Sequence, residues 1–82
     1  MINHVIQHPQ QLASLLKAIR LQKGLSQAQV AARLGISHQA VSALEKQPEK
    51  ATLERLMRLL GVLQVDVVLR SAQETPVART EW

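Results

Sequence analysis

Residues 24–46 read GLSQAQVAARLGISHQAVSALEK, a helix-forming run that is interrupted by Gly35, Ile36 and Ser37. Two helices joined at such an interruption either continue along one axis or cross at an angle. Gly35 favours a crossing, because glycine ends a helix in the left-handed backbone conformation at little cost. Ser37 can then cap the following helix with its side-chain oxygen. The stretch therefore predicts a sharp corner between two short helices.

The small and apolar residues of this stretch have the spacing of a helix-turn-helix, in which two helices cross at roughly 90–120°. Counted from Gln27, the fifth residue is the small Ala31, and the ninth is Gly35, which allows the turn. The positions that must be apolar hold Val30, Leu34, Ile36, Val41 and Leu44. A generic helical hairpin is the alternative, and it would meet all these constraints only by chance.

The remainder of the chain predicts two further helices and a strand. Pro9 suits the first position of a helix, and Leu12, Leu15, Leu16 and Ile19 follow it at helical spacing. Thr52 can cap a fourth helix, whose inward stripe we predict to be Leu53, Leu56, Met57 and Leu60. In residues 64–70, QVDVVLR, polar residues alternate with β-branched or apolar ones except at Val68, which predicts a strand.

Composition excludes several classes of function. The 82 residues include no cysteine, so disulfides, thiolate catalysis and cysteine-ligated zinc are excluded. The three histidines, at positions 4, 8 and 38, lack metal-ligand spacing, and no catalytic carboxylate pair or phosphate-binding glycine loop is present. We therefore expect no catalytic residues, metal or cofactor. Neither a membrane span nor a secretion signal is evident, and we expect a cytoplasmic protein without a membrane partner.

The net charge of +4 is unevenly distributed. Residues 1–50 carry six Lys or Arg against two Glu, whereas residues 51–82 carry four Arg against four acidic residues. All the excess positive charge thus lies in the half that holds the predicted corner. Solvated helix faces are one explanation, but nucleic acid becomes a stronger candidate partner.

Residues 24–46 resemble the DNA-binding core of the Xre and phage-repressor helix-turn-helix family, and the resemblance covers about residues 10–62. It implies an all-α, lambda-repressor-like fold of four to five helices. Members commonly carry an arginine near the end of helix one and a glutamate at the end of helix three. Here these are Arg20 and Glu45, which the resemblance implies form a buried structural pair; two independent surface charges are the alternative.

The order of helix four, strand and a tail ending in Trp82 resembles the HipB-like antitoxins of this family. The resemblance implies a homodimer that represses its own operon and neutralises a HipA-like kinase toxin. The alternative is a stand-alone Xre-family regulator without a toxin partner. The expected organisation is an N-terminal arm at 1–8, the helix-turn-helix domain at 9–62, a dimerisation strand at 63–70 and a flexible tail at 71–82. The predicted dimer contacts are Val65, Val67 and Leu69.

Trp82 is the sole aromatic residue of the chain. At the end of a polar tail it could dock into a partner protein, because tryptophan is enriched at interface hot spots. A loose end, or a tail that folds back on its own domain, is the alternative.

In a helix-turn-helix, the N-terminal residues of the second helix face base edges in the major groove of double-stranded operator DNA. The candidate base contacts are Ser37, His38, Gln39, Ser42 and Ala43. Gln39 can bond bidentately to adenine, and Ala43 offers a methyl group to thymine. The candidate phosphate contacts are Lys23, Ser26, Gln27, Arg33 and Lys46. Each of these residues could instead be an ordinary exposed residue.

Overall fold

The computed structural model describes residues 3–71 of the chain. These residues form four α-helices, α1 (Pro9–Gln22), α2 (Gln27–Leu34), α3 (His38–Lys46) and α4 (Leu53–Val62), and a short 3₁₀ helix at Pro48–Lys50 between α3 and α4. The predicted all-α fold with a helix-turn-helix is confirmed. No helix in this part of the chain has the length and apolar character needed to cross a membrane.

Side-chain caps set the starts of α2, α3 and α4. Ser26 Oγ accepts a hydrogen bond from the backbone N–H of Gln29 at 3.0 Å, and Gln29 Oε1 accepts one from the backbone N–H of Ser26 at 2.8 Å. Ser37 and Thr52 each accept from the backbone N–H three residues later, at 3.0 and 3.1 Å. Each cap satisfies a helix-terminal N–H that has no partner within its own helix.

Gly35 forms the corner between α2 and α3 in the left-handed conformation that the sequence predicted, with φ +72° and ψ 31°. The backbone N–H groups of Gly35 and Ile36 both donate to the carbonyl of Ala31, at 2.8 and 3.1 Å. Arg58 Nη2 reaches back from α4 to the carbonyl of Leu34 at 3.3 Å. The corner is therefore held by its own backbone and by a side chain from α4.

The buried core lies between α1, α4 and the two helices that meet at the corner, α2 and α3. The motif positions inside α2 and α3 are buried, and Ile36 is half-buried against them. The core also contains Leu16 of α1 and three leucines from α4 and the turn that follows it. Its buried apolar members are Leu16, Val30, Ala31, Leu34, Val41, Leu44, Leu59, Leu60 and Leu63.

The predicted inward stripe of α4 is partly wrong. Leu60 is buried and Leu56 packs against the core, but Leu53 is 72% exposed and Met57 49% exposed. Leu59, together with Leu63 just beyond the helix, takes the inward positions instead. The α4 sequence is apolar on two sides, so helical spacing is satisfied by either stripe. Packing against α2 decides between them.

The strand predicted within residues 63–70 is not supported, because residues 3–71 contain no β-strand. α4 ends instead in a turn in which Gln64 has a φ of +60°, and the Val65 N–H donates to the Leu60 carbonyl at 2.9 Å. Residues 65–70 then continue without regular secondary structure. A strand requires a neighbouring strand for its backbone hydrogen bonds, and the described part of one chain supplies none. Trp82 and the predicted tail beyond residue 71 lie outside the described residues.

Arg20 and Glu45 form a buried ion pair between α1 and α3, with exposed fractions of 6% and 5%. Arg20 Nε donates to Glu45 Oε2 at 2.7 Å, and Arg20 Nη2 donates to Glu45 Oε1 at 3.1 Å. Arg20 Nη1 donates to the carbonyl of Leu25, in the turn before α2, at 2.8 Å. The two parallel bonds are the bidentate geometry that arginine favours with a carboxylate.

Removing the carboxylate should destabilise the fold strongly. We expect Glu45→Ala to lower the free energy of unfolding by about 3–5 kcal/mol, because it leaves the Arg20 charge buried without its partner. Urea denaturation followed by circular dichroism measures the change. Glu49→Ala is the control, because Glu49 is exposed and its loss should change stability by no more than about 0.5 kcal/mol.

The double variant Arg20→Met/Glu45→Leu separates loss of the pair from general damage to the core. It should be more stable than Glu45→Ala, because it leaves no unpaired charge buried. A Glu45→Ala protein that unfolds at the wild-type urea concentration would contradict the structural role of the pair.

Two glycines form a matched test of the corner. A Cβ atom added at Gly35 or at Gly61 would meet no heavy atom within 4 Å, so the two substitutions differ only in backbone conformation. Gly35→Ala should lower the free energy of unfolding by about 1–2 kcal/mol, because it forces alanine into the left-handed region. Gly61→Ala, within α4, should raise it by about 0.4–1 kcal/mol. Thermal and urea unfolding should show shifts of opposite sign, and equal shifts would contradict the left-handed corner.

Candidate nucleic-acid interface

The first residues of α2 and α3, Gln27 and His38, are in contact at the surface. His38 Nε2 lies 3.0 Å from Gln27 Oε1, and Gln27 Nε2 donates to Glu45 Oε1 at 3.2 Å. His38 is exposed, Gln27 is half-buried and Glu45 is buried. A continuous chain of hydrogen bonds therefore connects the first residue of α3 with the ion pair inside the domain.

The five candidate base contacts lie at the N-terminus of α3 and along its outer side. Val41, Leu44 and Glu45 occupy the inner side. Of the candidates, only Ser42 is half-buried, and the others are exposed: Ser37, His38, Gln39 and Ala43. α3 therefore presents polar and small side chains to solvent while its apolar side holds it in place.

The two serine caps retain a donor for a ligand. The oxygens of Ser26 and Ser37 accept a backbone N–H, so the hydroxyl hydrogen of each can still donate. The free N–H groups of the first helical turn add further donors and a partial positive charge. These are groups that suit a phosphate oxygen.

The candidate phosphate contacts fall into two sets. Lys23 directly follows α1, Ser26 caps α2 and Gln27 is its first residue, so these three lie within a span of five residues at one end of α2. Arg33 and Lys46 are exposed in the last turns of α2 and α3, at the opposite ends of these helices from Gln27 and His38. The structure therefore does not bring Arg33 and Lys46 together with the set at the start of α2.

Three basic residues were missed by the sequence analysis. Lys50, Arg55 and Arg58 line an open cleft between α3 and the start of α4. The α3 side of this cleft is formed by Ala40, Ala43 and Gln47, so the cleft adjoins the outer side of α3. The charge summed over residues 51–82 did not reveal Arg55 and Arg58, because the four acidic residues of that half cancel its four arginines. One of these acidic residues, Glu54, lines the same cleft.

Comparison with known proteins agrees with this geometry. A family model described as helix-turn-helix matches residues 16–69, more than half of the chain. Antitoxin HipB of Escherichia coli K12 is 32% identical over 76 residues, which cover 93% of this chain and 86% of that protein. An uncharacterized HTH-type transcriptional regulator of Sinorhizobium fredii, y4dJ, is 43% identical over 61 residues, which cover 71% and 78%.

Solved structures give the same assignment. A chain from a structure called "Structure of HipA-HipB-O2-O3 complex" superposes with a TM-score of 0.79 at 30% identity. The match covers 87% of this chain and all of that one. A chain from a structure called "HipB-O4 20mer complex" matches with a TM-score of 0.78 at 31% identity. The chain therefore belongs to the Xre-type helix-turn-helix family, within which it is similar to the HipB antitoxins.

Proposed function

We propose that the chain binds operator DNA as a homodimer, represses its own operon and neutralises a HipA-like kinase toxin. The observation that carries the DNA-binding part is the outer side of α3, where exposed polar side chains begin at a capped N-terminus. A helix-turn-helix places this end of its second helix in the major groove. The similar structures, a HipA-HipB-O2-O3 complex and a HipB-O4 20mer complex, support the same function.

Gln39 is the principal base-reading residue of this proposal. It is exposed in the first turn of α3, and an amide can bond bidentately to N6 and N7 of adenine. Ser42 and Ala43 lie one turn further along the same side and read neighbouring bases. Ala43 supplies an apolar contact for a thymine methyl group.

Phosphate contacts surround this helix. Lys23, Ser26 and Gln27 hold one stretch of the DNA backbone at the start of α2, where the cap and helix N-terminus favour an anion. Lys50, Arg55 and Arg58 hold another across the cleft beside α3. Arg33 and Lys46 contribute from the far ends of α2 and α3. These contacts set position and overall affinity, because phosphates carry no sequence information.

A second copy of the chain pairs through residues 65–70. Val67, Val68 and Leu69 are 55%, 80% and 93% exposed. Two such segments can form an antiparallel pair that satisfies the backbone groups facing the partner and brings together Val67 and Leu69, which share one side of the strand. Val65 packs against the core of its own chain, so the contact depends on Val67 and Leu69. The exposed Leu53 and Met57 of α4 offer additional apolar surface.

A stand-alone transcriptional regulator is the second candidate function. It is favoured by the higher identity to the Sinorhizobium relative, which is named as a regulator and not as an antitoxin. The two functions share the DNA interface and differ in the toxin. A gene for a HipA-like kinase beside this one, whose product binds the purified chain, would support the antitoxin. The docking of Trp82 into that kinase stays a prediction.

Gln39 provides the test of sequence-specific binding. A preferred site is first selected by the wild-type chain from a randomised DNA duplex library. Gln39→Ala should then lose about 1–3 kcal/mol of binding free energy on that site, roughly 5- to 150-fold in affinity, and almost nothing on random DNA. Fluorescence anisotropy at fixed salt measures both affinities.

The matched control is Gln10→Ala, because Gln10 is also exposed and helical but lies in α1. It should bind both duplexes as the wild type does. Equal losses for Gln39→Ala on the selected and the random duplex would show that Gln39 does not read a base.

Proline scanning tests the dimer. Alternate N–H groups of an antiparallel pair face the partner strand, so either Asp66→Pro or Val67→Pro removes a ladder donor. At least one of the two should sediment as a monomer and bind the selected site weakly. Val67→Thr keeps the N–H and the β-branch and should remain dimeric. Dimers that survive both proline substitutions would place the interface on the helices.

A further inference from the structure

The hydrogen-bonded chain from His38 to Glu45 has a defined chemical direction. Glu45 is paired with Arg20 through both carboxylate oxygens, and an ionised carboxylate can only accept hydrogen bonds. The group of Gln27 that faces Glu45 must therefore be its amide NH₂, as the 3.2 Å contact has it. This orientation leaves the amide oxygen of Gln27 to face His38.

The orientation of Gln27 decides which nitrogen of the neutral His38 ring carries the hydrogen. An amide oxygen only accepts, so the His38 Nε2 atom 3.0 Å away must carry a hydrogen. In a neutral imidazole one ring nitrogen is a donor and the other an acceptor. Nδ1 is then without a hydrogen, and it is the ring nitrogen left for a ligand. The buried pair thus sets the state of an exposed side chain through one intermediate residue.

We propose that Gln27 is a positioning residue that fixes His38 as a hydrogen-bond acceptor, so that His38 selects a base through its exocyclic amino group. The major-groove groups that donate are the N6 amine of adenine and the N4 amine of cytosine, whereas guanine N7 and O6 and thymine O4 only accept. His38 in this state recognises adenine or cytosine on the strand it faces. This inference rests on the proposed DNA-binding function, which it makes specific at one base.

The ring state can be measured in the free protein. Nitrogen-15 NMR at pH 8, where an imidazole is neutral, distinguishes the two tautomers, and His38→Gln assigns the signals. Wild-type His38 should be a single Nε2–H tautomer. Gln27→Met keeps the side-chain length but removes the amide, and in this variant His38 should show the same mixture of tautomers as His4, which is exposed and serves as the internal reference. An unchanged tautomer ratio in Gln27→Met would overturn the role of Gln27.

The base contact is tested on the DNA selected by the wild-type chain. The base pair read by His38 is the position of the selected site at which the wild-type chain prefers one base pair and His38→Ala shows no preference. At that pair, removal of the exocyclic amino group should weaken wild-type binding about fivefold or more. The same removal should leave the affinities of His38→Ala and Gln27→Met almost unchanged. A 7-deaza purine, which lacks only the N7 acceptor, should leave wild-type binding within about twofold.

The outcomes separate this inference from the function on which it rests. Loss of N7 at the His38-dependent base pair, and not loss of the amino group, could weaken binding. That result contradicts this inference and leaves the proposed function standing. A selected site with no His38-dependent pair also contradicts it, while Gln39 recognition stands. A wild-type chain that selects no site contradicts both the proposed function and the base contact. The NMR experiment on the free protein then still tests whether Gln27 fixes the tautomer of His38.

Discussion

The arrangement of the domain depends on the buried ion pair of Arg20 and Glu45, because this pair joins α1 directly to α3 through charged side chains. Arg20 belongs to α1 and Glu45 to α3, while the carbonyl of Leu25 binds the same guanidinium from the turn before α2. Apolar packing is tolerant of small rotations, whereas a bidentate ion pair fixes both distance and angle. The angle at which α3 meets the rest of the domain, and with it the surface offered to DNA, follows from this pair and from Gly35.

The corner could be predicted from sequence because all its determinants are local. Gly35, Ser37 and the apolar positions around them lie within one short stretch, and each has a separate physical requirement. The inner side of α4 could not be predicted in the same way. Its two apolar stripes both have helical spacing, and the choice between Leu59 and Met57 depends on contacts with α2 that are distant in sequence.

Two features of the candidate site required three-dimensional information. Gln27 is 18 residues from Glu45 and 11 from His38, and no periodicity in the sequence indicates that it bridges them. Lys50, Arg55 and Arg58 become a basic surface only because the loop after α3 brings them beside its outer side. The segment at 65–70 is a different case, because its pattern indicates pairing while the partner proposed for it is a second molecule.

The division of α3 into an inner and an outer side has a consequence for divergence among related operators. Gln39 and Ala43 face solvent and are free of the core. Under the proposed function, exchange of these residues would alter recognition while stability is maintained. A paralogue can therefore acquire a new operator by changes at these positions one at a time. His38 is different, because its partner Gln27 also binds Glu45. A change at position 38 calls for a compatible residue at position 27, so these two positions are expected to covary.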